Sequence, residues 1–181
     1  KAVMKLLLHT CCAPCSVKCI DTLRGEGIEP DLYWFNPNIH PFTEYRSRRD
    51  TLVSYAQSIG ARLLLEDEYG LRSFVEAVCP DFDNRCTYCY SVRMSAAARY
   101  AAEHGYDGFS TTLLISPYQN HEGIQAAARQ AAEEYGVAFV YRDFRPYFRE
   151  GQQIARDLGL YMQKYCGCIF SEEDRYKKKK K

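Results

Sequence analysis

The sequence predicts an α/β domain: a mostly parallel sheet with helices on both faces. Three observations predict it. Strand-like and helix-like segments alternate along almost the whole chain, the first apolar run is nearly continuous as in a strand covered on both sides, and no internal repeat or Pro/Ser/Gly-rich linker divides the 181 residues. The reading is one domain over residues 1–176 and a disordered lysine tail over 177–181.

Residues 3–8 form the first strand, and the cysteine-rich stretch HTCCAPCS joins it to a helix over 16–24 that Gly25 and Gly27 stop. DLYWF at 31–35 is a second strand that ends in the turn-rich NPNIHP. A helix over 43–59 stops at Gly60, and 61–65 is a third strand. Residues 67–83 read as a loop with a short helix, and 86–104 as a helix opened by RCTYCY. FSTTLLI at 109–115 is a fourth strand, 124–135 an alanine-rich helix, 137–141 a fifth strand, and a final helix leads to YCGCIFS. In open sheets of this kind ligands bind beyond the carboxyl ends of the strands, where the first cysteine loop falls.

Composition narrows the function. The apolar runs are far short of the ~20 residues that cross a bilayer, so no membrane span is expected. KAVMKLLLHTCC lacks a small-residue cleavage site and reads as a strand, which places nine cysteines in a reducing cytoplasm where lasting disulfides are disfavoured. Without the five C-terminal lysines, 24 basic residues become 19 against 23 acidic ones. Global charge therefore gives no nucleic-acid partner, and local arginines would have to supply one.

Cys11, Cys12 and Cys15 lie within five residues, and Cys86-x-x-Cys89 opens a helix whose positive end favours thiolates. Four thiolates from Cys11, Cys12, Cys86 and Cys89 suit zinc or an iron–sulfur cluster. Adjacent cysteines diverge, which favours the larger cluster over one small ion. Cys15 is a further thiol able to serve a second metal. Cys166-Gly167-Cys168 reads as a redox pair or as two small core residues, while Cys19 and Cys79 are assigned to packing. His9 and His40 belong to the same strand-end face, and His104 and His121 read as surface residues. Fifteen tyrosines, several beside arginines, fit either an aromatic core or a surface that stacks single-stranded RNA; Arg85, Arg93, Arg142 and Arg145 flank the loops in question.

Taken in order, HTCCAPCS, YWFNPNIHPFTEYRSR, RCTYCYSVRM, FSTTLLISPYQNHE, FVYRDFRPYFREG and YMQKYCGCIFS resemble the cobalamin-independent epoxyqueuosine reductases of the QueH type, from about residue 6 to 171. The resemblance implies reduction of epoxyqueuosine to queuosine at the wobble position of tRNAs with GUN anticodons, the last step of queuosine biosynthesis. It implies a [4Fe–4S] cluster on Cys11, Cys12, Cys86 and Cys89, a mononuclear iron beside it, and a redox-active disulfide from Cys166 and Cys168. Cys15 stands where other members can carry aspartate, and its thiolate would be a softer donor to the second iron than a carboxylate. An iron acting as a Lewis acid on the epoxide oxygen, with His9 or Tyr118 giving a proton, then accounts for a reaction that needs two electrons. A cluster moves one electron at a time, so an external electron donor is expected. The modified base must leave its loop to reach the metal. Asn36, Asn38, His40, Thr111, Thr112 and Ser116 are the candidates for reading it, and Arg46, Arg85, Arg142 and Arg145 for holding phosphates of the anticodon stem-loop.

The fold also looks like the adenine-nucleotide hydrolase (HUP) superfamily. HTCCAPCS lacks the glycines a phosphate loop needs, so the fold is kept and ATP chemistry is not. The main rival is a zinc-stabilised tRNA-binding module without redox catalysis, which leaves Cys15 and the CxC motif unexplained. A thioredoxin-like dithiol enzyme, active without metal, is the third reading.

Overall fold

The computed structural model describes residues 2–177; Lys178 to Lys181, most of the expected lysine tail, lie outside the described residues. Five strands form one sheet in the order β3-β2-β1-β4-β5: β1 (Leu6–His9), β2 (Asp31–Trp34), β3 (Leu63–Leu65), β4 (Gly108–Thr111) and β5 (Ala138–Phe139). All four pairings are parallel, with Leu8 opposite both Leu32 and Ser110. Among the described residues seven α-helices accompany it: α1 (Ala13–Gly25), α2 (Phe42–Ser58), α3 (Leu71–Val78), α4 (Arg85–Glu103), α5 (His121–Tyr135), α6 (Phe148–Asp157) and α7 (Ile169–Tyr176).

The topology follows from the strand order. Right-handed crossovers running outward from β1 put α1 and α2 on one face, and the return through β4 to β5 puts α4 and α5 on the other. Helix α6 then packs on α1. β1 sits centrally, buried at every residue, which is why it reads as a run of leucines and not as an alternating pattern. On α4 the buried Met94, Ala97, Ala98 and Ala101 meet Ile124, Ala127, Ala128 and Ala131 of α5; the small side chains let the two helices approach closely. The strand order reverses at β1, so the crevice between the carboxyl ends of β1 and β4 is the switch point at which α/β folds bind ligands.

Three segments depart from the sequence reading. The fourth strand stops at Thr111, because its hydroxyl accepts the Leu113 N–H at 3.1 Å and caps a 3-10 turn over Thr112–Ile115; β-branched, apolar TTLLI carries no sign of that cap. The fifth strand shrinks to two residues at the sheet edge. Beyond the CxC motif the chain forms α7, capped by the Cys168 sulfur, which accepts from the Ser171 N–H. Cys79 is exposed and packs nothing, in contrast to fully buried Cys19. His121 is buried and bonds the Tyr141 hydroxyl, while His104 is exposed as expected.

Candidate metal and substrate site

Where β1 ends, Cys11, Cys12 and Cys15 converge, their sulfurs all within 4.8 Å of one another. Among the described residues this is the one group of three or more Cys, His, Asp or Glu donors at such spacing. Cys12 is the N-cap of α1, and its sulfur accepts the Cys15 N–H at 3.4 Å, so the cap that starts the helix also gathers the thiols. Thr112, brought back by the 3-10 turn, accepts the Cys11 N–H at 3.1 Å and lies 3.3 Å from the Cys11 sulfur. Hydrogen bonds from Cys12, then Cys15 and Thr112, hold Cys11 well below the ordinary thiol range; burial and the Cys11 charge push Cys12 up, and the same neighbours push Cys15 up. In the metal-free triad, Cys11 is thus the sulfur most readily ionised. A tetrahedral ion with bonds of about 2.3 Å spaces its sulfur ligands about 3.8 Å apart, inside the 4.8 Å limit within which the three sulfurs lie, and a soft all-thiolate set suits zinc, iron or an iron–sulfur centre.

A second group of thiols lines a neighbouring cleft of about 310 Å³: Cys86, Cys89, Cys166 and Cys168, with Asn38 and Arg93 in the same wall. All four are free thiols. The helix start at α4 does not lower its thiols, as burial outweighs the dipole: Cys86 is pushed up, and Cys89 is pushed up to about 11. Cys166 behaves oppositely. Hydrogen bonding with Cys168 and Ser171 holds it down to about 5, while the bond to Cys166, burial and the Cys166 charge push Cys168 up. The buried Arg93 guanidinium acts on His9, beside the triad, and on Cys86, Cys89 and Cys166 across the cleft, so it stands between the two thiol groups.

The chain over 161–168 closes over the triad through residues the sequence reading passed over. Gln163 reaches the Cys15 sulfur with its amide nitrogen at 3.6 Å. Arg48, 2% exposed, donates to the carbonyls of Cys166 (3.0 Å) and Tyr165 (2.8 Å) and pairs with Glu44 at 2.8 Å. From the other side the His40 N–H donates to the Gly167 carbonyl at 2.7 Å, and the His40 ring accepts the Ile169 N–H at Nδ1. Its proton is therefore on Nε2, which donates to the Pro37 carbonyl at 2.9 Å, and burial holds His40 down to about 4.

Most of the polar residues expected to read the substrate are already engaged. His9 donates from Nε2 to the Phe35 carbonyl (3.1 Å) and Asn36 Oδ1 (3.2 Å), and its Nδ1 receives the Thr111 hydroxyl at 3.0 Å. With burial holding it down to about 4, His9 lacks the free proton expected of it at neutral pH. The Asn36 amide also donates to the Thr10 carbonyl, so Asn36, Thr111, Thr112 and His40 hold the frame. Asn38 differs: it is 5% exposed, and its Oδ1 has no partner. Ser116 accepts from the Tyr118 N–H, and the Tyr118 side chain is 87% exposed, away from any buried reaction. Arg46 is exposed. Arg85 lines the thiol cleft and bonds Asp174 at 3.4 Å. Arg142 pairs with Glu26 beyond the C-terminal end of α1, roughly 20 Å along the helix from Cys12. Arg145 is exposed and pairs with Asp143.

The family model for epoxyqueuosine reductase QueH matches residues 6–174. A relative named epoxyqueuosine reductase QueH from Dehalococcoides mccartyi is 40% identical over 174 residues, covering 96% of this chain and 96% of its own. Relatives of the same name from Thermotoga maritima and Haemophilus influenzae are each 34% identical over 96% of this chain, and over 93% and 74% of theirs. A solved structure of a predicted tRNA methyltransferase subunit from Methanocaldococcus jannaschii superposes with a TM-score of 0.55 at 13% identity, over 85% of this chain and 75% of that one, a likeness of fold alone.

Proposed function

We propose how the site works from one premise: the chain belongs to the epoxyqueuosine reductase QueH family, and it is an oxidoreductase that reduces epoxyqueuosine in tRNA. The finer reading is reduction at the wobble position of tRNAs with GUN anticodons, the last step of queuosine biosynthesis, in the cytoplasm. No helix among the described residues is long and apolar enough to cross a membrane.

The observation that carries this reading is the thiol triad at the switch point of the sheet. The cofactors proposed are a [4Fe–4S] cluster and a mononuclear iron, which when bound would supply single-electron transfer and a Lewis acid for the epoxide oxygen. Cys11, Cys12 and Cys15 would hold metal at the end of β1, and Cys86 and Cys89, in the neighbouring cleft at the start of α4, are the further ligands proposed for the cluster. The all-thiolate donor set fits such a centre.

The rest of the work falls to the protein. His9, Asn36 and Thr111 lock the β1 and β4 ends, and Thr112 fixes Cys11 from behind. Residues 161–168, pinned by Arg48 and His40, close the triad off from water. The electron count can be met on this chain: opening an epoxide to an alkene and water takes two electrons and two protons, and oxidation of Cys166 and Cys168 to a disulfide releases two of each. An external donor would then restore the dithiol. Exposed Arg46 and Tyr118 would meet the anticodon stem-loop at the rim, by phosphate contact and base stacking. The test is anaerobic turnover of tRNA containing epoxyqueuosine, read by nucleoside mass spectrometry. Loss of one oxygen atom per modified nucleoside is expected; unchanged epoxyqueuosine with metal-loaded enzyme and reductant would overturn the proposal.

A further inference from the structure

Beside the thiol cleft lies a second pocket of about 410 Å³, partly open to solvent, and the two share a wall made by Asn38, Cys89 and Arg93. Its far end is lined differently, by Phe35, Phe74 and Tyr88 with the exposed carboxylate of Glu68. Glu68 makes no side-chain hydrogen bond and no ion pair among the described residues. Two groups in the shared wall have bonding capacity to spare. Asn38 buries a carbonyl oxygen with no partner, and Arg93, 4% exposed, uses only its Nε, on the Cys89 carbonyl, and has no carboxylate partner among the described residues. A buried acceptor and a buried cation left open in one wall point to a ligand that supplies the missing donor and acceptor.

We propose that this pocket holds the extruded 7-deazaguanine of the substrate, with Glu68 reading its Watson–Crick edge. The inference rests on the reductase reading and extends it to base recognition. In epoxyqueuosine the epoxide ring is joined by a methylamine to C7, on the same edge as O6, and the N1–H and 2-amino donors face the opposite way. With the ring in the thiol cleft, the linker crosses the shared wall, where Asn38 Oδ1 accepts its N–H and Arg93 donates to O6. The donor edge then faces the far end of the pocket. There the Glu68 carboxylate accepts from N1–H and the 2-amino group together, a pairing that adenine, with no N1–H and no 2-amino group, cannot make. Phe35, Phe74 and Tyr88 give the base apolar and aromatic walls in place of its stacked neighbours.

The experiment measures binding of the metal-loaded enzyme to two fluorescent anticodon stem-loops, one with guanosine and one with inosine, which lacks the 2-amino group, at the wobble position. Wild type should prefer guanosine about tenfold, and Glu68→Ala, at an exposed position, should reduce the preference to less than about twofold. Equal binding of both RNAs by wild type, or a tenfold preference kept by Glu68→Ala, overturns the pocket assignment. Turnover of epoxyqueuosine tRNA by the same wild-type preparation separates the two readings. Without turnover the reductase reading falls and takes this one with it; with turnover and an indifferent Glu68→Ala, the pocket assignment alone falls.

Discussion

Replacing Arg48 with methionine should loosen the cover of the metal site more than the fold. The side chain is buried and holds three things together: the Glu44 carboxylate at 2.8 Å and the carbonyls of Cys166 and Tyr165 at 3.0 and 2.8 Å. Removing one partner of a buried ion pair costs about 3–5 kcal/mol, because the other charge stays desolvated. Glu44 retains the Tyr161 hydroxyl as a donor, and the two carbonyls can turn to water if residues 161–168 lift away, which places the expected loss near the lower end. With a urea dependence of about 2–3 kcal/mol/M for a chain of this size, the midpoint should fall by roughly 1–2 M. Arg48→Met with Glu44→Gln should recover part of that loss, since no buried charge is left alone, but not the two carbonyl contacts. Residues 161–168 also cover Cys15 through Gln163, so Arg48→Met should expose the Cys15 thiol, which Cys11 and Cys12 push up, to alkylation at alkaline pH in metal-free protein while the other helices keep their amide protection. A midpoint shift below about 0.3 M with Cys15 still protected would refute the reasoning, since a shift so small corresponds to under ~1 kcal/mol.

Other substitutions test the remaining contacts. Gly167→Ala should cost about 1–3 kcal/mol by thermal unfolding and misplace both CxC thiols, because the glycine has φ +138 and an added Cβ would lie 3.1 Å from Ile39 Cγ1 and 3.3 Å from an Arg48 nitrogen. Thr112→Val should leave the buried Cys11 N–H without an acceptor, a loss of about 1–3 kcal/mol, and reduce the metal retained on gel filtration. In metal-free protein Cys166 should react with iodoacetamide down to about pH 5 while Cys89, pushed up to about 11, stays inert at neutral pH; mapping the alkylated cysteines by mass spectrometry checks both. The sign for stability follows: Cys166 titrates lower in the fold than in the unfolded chain, so its contribution is complete above about pH 8.5 and is lost as pH falls through about 5. Ser171→Ala should raise the Cys166 value and narrow that window.

The α/β order was legible because local pattern carries it: a leucine run for the central strand, aromatic DLYW for its neighbour, and alanines at helical spacing where α4 meets α5. The thiol triad was legible for the same reason, since three cysteines in five residues stay together in any fold. What the sequence hid was who bonds to whom across long separations. Asn36, His40, Thr111 and Thr112 stand at strand ends as a substrate-reading set would, yet each is spent on the frame, and only the structure shows that Asn38 is the one with an open buried acceptor. Arg48 and Glu44 sit four residues apart on a helix, the spacing of an ordinary surface pair, and nothing local signals that Tyr165 and Cys166 arrive to bury them. Arg142 stood next to a tyrosine near a loop, and its partner Glu26 drew it to the far end of α1.

The central claim is that these thiols hold a redox-active metal centre, and metal content with a visible spectrum on protein purified without oxygen tests it most directly. The account predicts bound iron and a brown chromophore that reductant bleaches, both lost when Cys12 is replaced by serine. Zinc alone, in protein never exposed to air, would contradict it and leave a metal-stabilised tRNA-binding module as the better description of the site.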